Sequence, residues 1–296
     1  MIPTARFGRT GLSVTRLGMG GFPFGGVNEA AGWNPFTPEG RATAVGTIRY
    51  GLERGINYFD TAPGYGEGNS ESIFGEALEG AAAPYTLATK CPWQGVGAAE
   101  VIASVEASLR RLRRDTVDLV QFHGGMYTEA DSRHILENGP LEGLSRLRDQ
   151  GKVRFLGFTV EEPFTALPLL ASGAFDMVQM RYNLLNHQAA EHALPRAKET
   201  DTGVAVMRPM TSGILQRILQ DLAPEWIAVR DPFDVCLKFV LSDPRVHTAL
   251  VGARWPHEVD RNLAVADGFA ADIDLSAVPL RTAGIYKEQD MLRNSL

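Results

Sequence analysis

The 296-residue chain predicts a (β/α)8 TIM barrel, residues 1–296 forming one domain, with a short N-terminal β-hairpin. Three observations carry that expectation. Eight short apolar runs recur along the chain, a segment of amphipathic helical spacing follows each, and no linker-like change of composition interrupts the alternation.

In order, "RFGRTGLSVTRLGMGG" reads as the hairpin, with Thr10-Gly11 at its turn. The strand-like runs are "VTRLGMG", "INYFDTA", "YTLATK", "VDLVQFH", "VRFLGFT", "FDMVQMRY", "VAVMRPM" and "HTALVGA". Helical spacing is expected over 41–54, 70–79, 98–113, 140–149, 162–172, 187–199, 232–242 and 256–266. Gly55, Gly151 and Gly173 stand where a helix-ending glycine belongs. A doubly wound sheet is the competing architecture, but "GMGGFPFGG" at 18–26 lacks the G-x-G-x-x-G spacing that would open a dinucleotide-binding helix.

Charge and composition narrow the function. A net charge of −6 and a pI near 5.6 oppose a phosphate-backbone partner, and the basic run "RRLRR" at 110–114 suits the dipole at a helix end. Cys91 and Cys236 are too few for a disulfide framework and lack metal-ligand spacing. No window approaches the roughly 18 apolar residues of a membrane span, and the N-terminus has no signal-like apolar stretch. A cytoplasmic protein acting on a small molecule is expected, without nucleic acid, membrane or metal.

In such a barrel the chemistry lies at the C-terminal ends of the strands. The second, third and fourth runs end in Asp60, Lys90 and His123. Residues two apart share a face, so Tyr58, Ala88 and Gln121 accompany them, while Phe59, Leu87, Val120 and Phe122 turn outward. Neighbouring strands lie about 4.8 Å apart, which brings Lys90 within reach of Asp60 and supplies the cation that a buried carboxylate needs. Tyr65 follows in the turn "PGYG", close enough for Lys90 to favour its phenolate and make it a usable acid or base.

From "GRTGLSVTRLGMGG" to "LVGARWPHEVDRNL", through "NYFDTAPGYG", "LATK", "SLRRLRRDTVDLVQFH" and "GKVRFLGFT", the chain resembles the aldo-keto reductases, NAD(P)-dependent barrel oxidoreductases. The resemblance matches the family's Asp, Tyr, Lys and His tetrad to Asp60, Tyr65, Lys90 and His123. It implies hydride transfer between nicotinamide and a carbonyl or alcohol substrate (aldehyde, ketone or sugar), with Tyr65 as proton donor or acceptor.

The family holds the carboxamide with a Ser-Asn pair and a Gln; here those positions read Thr159-Val160 and Gln179, and Met207 or Arg208 replaces the ring-stacking aromatic. The resemblance puts the pyrophosphate at Ser212, Gly213 and Leu215, and the adenosine end at Gly252, Arg254, Glu258 and Asn262. Arg254 favours the 2′-phosphate of NADP(H), whereas Glu258 favours NAD(H); NADP(H) is the expected choice because a guanidinium grips phosphate in bidentate fashion. Phe24, Trp33, Trp93, Met126 and Tyr127 are the candidate pocket walls, although Phe22, Phe24 and Phe36 could equally pin their own loop. The tail after Leu280 is a further candidate cover.

Two rival functions remain at this stage. One is a catalytically silent nucleotide-binding barrel serving as a regulatory subunit, which the intact tetrad opposes. The other is a metal-dependent hydrolase, which would want a pairing such as H-x-H that none of the six histidines makes.

Overall fold

The computed structural model describes residues 2–222 and 224–267. Strands β1 (Thr4–Arg6) and β2 (Ser13–Thr15) pair antiparallel. Eight parallel strands follow: β3 (Leu17–Gly20), β4 (Tyr58–Asp60), β5 (Thr86–Cys91), β6 (Val117–Phe122), β7 (Val153–Val160), β8 (Met177–Arg181), β9 (Gly203–Met207) and β10 (Thr248–Val251). They close in the order β10-β3-β4-β5-β6-β7-β8-β9. Each of the eight expected runs holds one barrel strand.

The helices are α1 (Pro38–Glu53), α2 (Asn69–Leu78), α3 (Ala98–Leu112), α4 (Glu129–Glu137), α5 (Pro140–Asp149), α6 (Leu167–Ala171), α7 (Ala193–Glu199), α8 (Ile214–Leu222), α9 (Pro224–Ile227), α10 (Pro232–Ser242) and α11 (Pro256–Ala266). The expected stretches overlap all but α4, α8 and α9, with α1 starting three residues and α2 one residue earlier than expected. Two of these carry readable signals. Thr128 accepts from the Asp131 N–H while Asp131 reaches back, a capping box that starts α4. Leu215 and Leu219 lie one turn apart on the buried face of α8, packed with Leu184, Ile227 and Val235. Gly55, Gly151 and Gly173 adopt φ of 94°, 73° and 72°, the left-handed geometry that ends a helix.

Alternation sorts the strand residues into two cores. Tyr58, Ala88, Leu119, Met177, Ala205 and Leu250 fill the barrel interior, while Phe59, Leu87, Val120, Phe122 and Val178 join the larger core beneath the helices. The hairpin plugs the N-terminal end of the barrel. Its Phe7 is fully buried, edge-on to Tyr58 and His247 at centroid distances of 5.5 and 5.8 Å. Gly8, at φ 51°, presses so closely on the start of β9 that a Cβ would sit 2.3 Å from the Gly203 nitrogen. The opposite end, where the strand C-termini lie, is left for chemistry. Among the described residues no helix is long and apolar enough to cross a membrane.

Candidate active site

Asp60 closes β4 and Lys90 lies one residue before the end of β5; they are 2% and 1% exposed. Lys90 Nζ donates to Asp60 Oδ2 at 2.6 Å and to the Thr61 carbonyl at 2.8 Å. Burial by itself would lower the Lys90 pKa, but the Asp60 carboxylate and the Tyr65 phenol more than offset it, and the pKa stands above the ordinary lysine value. The second carboxylate oxygen, Asp60 Oδ1, accepts from Gln121 Nε2 at 2.8 Å. The desolvation cost of the carboxylate is thus met at both oxygens.

Tyr65 sits in the turn between β4 and α2, its N–H bonded to the Ala62 carbonyl at 3.1 Å. Backbone packs directly on backbone there. A Cβ on Gly66 would lie 2.7 Å from the Gly25 carbonyl oxygen, so the loop after β3 buttresses the turn only because both residues are glycine. Three side chains surround the phenol ring: Lys90 Nζ at 4.8 Å from its centroid, His123 edge-on at 5.8 Å, and Phe22 edge-on at 5.5 Å. Although His123 keeps part of its surface open to solvent, partial desolvation at the mouth and then the Lys90 charge lower its pKa to about 4, so this imidazole is neutral near pH 7. Tyr58, one layer deeper, is a different phenol: burial first and the Asp60 charge second drive its pKa well up, and it keeps its proton.

Across the mouth, Thr159 and Gln179 are paired in register on β7 and β8 and are both buried. The Thr159 hydroxyl donates to the Gly124 carbonyl and accepts from the Gly124 N–H, both at 2.9 Å, which leaves it one lone pair. Gln179 Oε1 is buried with no partner among the described residues. Met207 shares the inward face of Ala205 and is half-buried, whereas Arg208 turns out to Glu161, Nε to Oε1 2.6 Å. Arg181 at the end of β8 pairs with Glu162. Arg208 and Thr211 hold φ of 57° and 48°, an uncommon conformation for residues with a Cβ, and Asn183 Nδ2 fixes the Arg208 carbonyl at 2.9 Å.

The remaining cofactor candidates divide. Gly213 is exposed, Leu215 is buried in the small core under α8, and the Ser212 side chain lies outside what the structure describes. Gly252 follows β10, where a Cβ would meet Pro23 Cγ at 2.6 Å, and Asn262 lies on the buried face of α11. Arg254 and Glu258 meet each other: Glu258 Oε2 accepts from the Arg254 N–H at 2.6 Å, and Oε1 lies 3.5 Å from Arg254 Nη1.

Of the five candidate wall residues, four are buried in loop packing. Phe24 is fully buried against Phe74 and Trp33; Trp33 packs on Trp255 and donates its indole N–H to the Pro23 carbonyl. Trp93 and Tyr127 pack together behind the strand ends, and the Tyr127 hydroxyl donates to the Thr159 carbonyl. These side chains pin the loops. Met126, 58% exposed, remains a wall candidate, and Phe22, 67% exposed beside Tyr65, joins it. The tail after Leu280 lies outside the described residues. Gln121 was legible only as a polar residue sharing the His123 face.

The model of the aldo/keto reductase family matches residues 16–225. An L-galactose dehydrogenase of Arabidopsis thaliana is 28% identical, covering 87% of this chain and 86% of its own length. The NADH-specific methylglyoxal reductase of Escherichia coli is 28% identical over 73% of this chain and 70% of its own. An aldo-keto reductase from Klebsiella pneumoniae in complex with NADPH superposes with a TM-score of 0.75 at 21% identity, covering 94% of both chains.

Proposed function

The chain belongs to the aldo/keto reductase family and is an oxidoreductase of that type, and from that premise we propose that its barrel mouth interconverts a small carbonyl compound and its alcohol, with Tyr65 handling the proton. A bound nicotinamide supplies or accepts the hydride. The observation that carries the reading is the convergence of Lys90, His123 and Asp60 on the half-buried Tyr65.

Tyr65 gives its proton to the carbonyl oxygen in reduction and takes it back in oxidation. Lys90, held by Asp60 and Thr61, presents its ammonium 4.8 Å from the phenol ring centroid, where it stabilises negative charge that develops on the oxygen as the proton leaves. The neutral His123 offers a ring N–H to the substrate oxygen without adding charge. Phe22 and Met126 flank the opening with apolar surface.

The other half of the mouth fits a nicotinamide. Its carboxamide carries two N–H donors, and Thr159 Oγ1 and the orphaned Gln179 Oε1 present two acceptors from adjacent strands. Met207, half-buried on the inward face of β9, would help to hold the nicotinamide through apolar contact. NADP(H) is the favoured cofactor through Arg254, with NAD(H) next, since Glu258 already engages that arginine. The two buried free thiols, Cys91 and Cys236, suit a reducing cytoplasm.

The test is a spectrophotometric screen of aldehydes, ketones, sugars and pyridoxal against the reduced and oxidised forms of both nicotinamide cofactors. Multiple turnover with at least one pair is expected. Cofactor binding without turnover on any substrate would replace the enzyme with a silent nucleotide-binding barrel.

A further inference from the structure

We propose that Gln121 is a positioning residue of the proton-transfer site, holding the Asp60 carboxylate in the one orientation that keeps Lys90 against Tyr65. The proposal rests on the reading of Tyr65 as proton donor. Gln121 is fully buried on β6, two residues before His123 and in register with Lys90. Its amide reaches past β5 to a carboxylate on β4. Leu119, two residues earlier on the same face, shows that this interior accommodates an aliphatic side chain, so polarity at 121 needs its own explanation.

That explanation lies in how a carboxylate can turn. With only Lys90 as partner, Asp60 would be free to rotate and offer either oxygen, and the ammonium would follow it. Two donors on different oxygens remove that freedom: Lys90 takes Oδ2 at 2.6 Å and Gln121 takes Oδ1 at 2.8 Å. The ammonium is then fixed 4.8 Å from the Tyr65 ring centroid. An amide is suited to the task because it donates without carrying charge. A cation at 121 would compete with Lys90 for Asp60, and a carboxylate would repel it. The amide orientation is also determined, since a carbonyl turned to Asp60 would set two acceptors against each other; Oε1 accordingly points away and has no partner among the described residues.

The experiment compares Gln121→Leu and Gln121→Glu in the full chain, each made also in an Asp60→Asn background. Two readouts are used: steady-state kinetics with the cofactor, and the ionisation midpoint of Tyr65 followed by carbon NMR of labelled tyrosine, which needs no turnover. Gln121→Leu should lower kcat about tenfold, leave KM and cofactor Kd within about twofold, and move the Tyr65 midpoint upward. In the Asp60→Asn background the same substitution should do almost nothing, because its target is gone. Gln121→Glu should retain activity at low pH, where a protonated acid can still donate, and lose it as pH rises. The proposal falls if Gln121→Leu lowers kcat by the same factor in both backgrounds, or leaves kcat and the midpoint unchanged. If the leucine variant does not fold, the near-isosteric glutamate variant decides alone: a pH profile parallel to the wild type overturns it. Should the wild type reduce no carbonyl, the Tyr65 midpoint still reads Gln121 while the kinetic reading of the site fails separately.

Discussion

The arc of the mouth from β4 to β6 and the arc from β7 to β10 use the same kinds of residue and treat them in opposite ways. On the first, Asp60, Lys90 and Gln121 are buried and bonded to one another before any ligand arrives. On the second, Arg208 holds Glu161, Arg181 holds Glu162 and Arg254 holds Glu258, all at least partly exposed; each arc also keeps one buried amide oxygen, Gln121 Oε1 or Gln179 Oε1, with no partner among the described residues. Buried pairs in low dielectric resist exchange, whereas exposed pairs contribute little and can change partner at small cost. The groups proposed for proton transfer are therefore fixed in place, and those proposed for binding are kept replaceable.

The sharpest way to break this contrast is at the phenol. Tyr65→Phe should lower carbonyl reduction about 10³-fold while cofactor affinity, read by fluorescence titration, changes no more than about threefold, because the proton is needed only in the transition state. A comparable loss of cofactor affinity would mean that the two arcs are not separable.

Lys90→Met tests the built-in pair itself. Leaving Asp60 buried without its cation should cost about 3–5 kcal/mol in denaturant unfolding. Because the pair raises the Lys90 pKa, its stabilisation is complete below the ordinary lysine value and fades only as pH rises through the raised one, so the deficit should be uniform across the neutral range. The alkaline limb of the pH–rate profile should move upward with the cation gone. A variant of wild-type stability would show that the buried pair adds nothing.

On the replaceable arc effects should be smaller and confined to binding. Gln179→Leu should weaken cofactor binding about tenfold with little change in unfolding free energy, as it removes an acceptor that has no partner to lose among the described residues. Glu258→Gln should tighten NADPH several-fold by freeing Arg254, and Arg254→Ala should weaken NADPH more than NADH. If Arg254→Ala leaves the preference untouched and the wild type favours NADH, Glu258 governs the choice. Smallest of all, the imidazole of His123 should titrate near pH 4 by proton NMR, staying neutral through the working range; a midpoint near the free value would mean the mouth is wetter than its shape implies.

Much of the first arc was legible in the chain because period-two alternation and strand ends together say which way Asp60, Lys90 and His123 point. The partnership of Gln121 with Asp60 was not, since it depends on a reach across a third strand, 61 positions away in sequence. Apolarity marked Phe24, Trp33, Trp93 and Tyr127 as buried against something, but which side of the strand ends they would take follows from loop packing that no local pattern encodes. The Arg208–Glu161 contact, 47 positions apart, is equally silent. Helix α8 is legible in the spacing of Leu215 and Leu219, which competes with the resemblance of the same stretch to a phosphate-binding loop.

The plug at the far end of the barrel has a consequence for how the molecule is made. Arg6 binds Asp201, the Arg9 N–H reaches the Asp201 carbonyl, and Gly8 lies on Gly203. The hairpin thus has its docking site written some 195 positions downstream, and it is made well before that site. At about 5–20 residues per second, the hairpin must wait on the order of ten seconds or more before β9 exists to receive it. Through that interval Phe7 has no barrel to enter, and the closed end of the fold belongs to the last stage of its assembly.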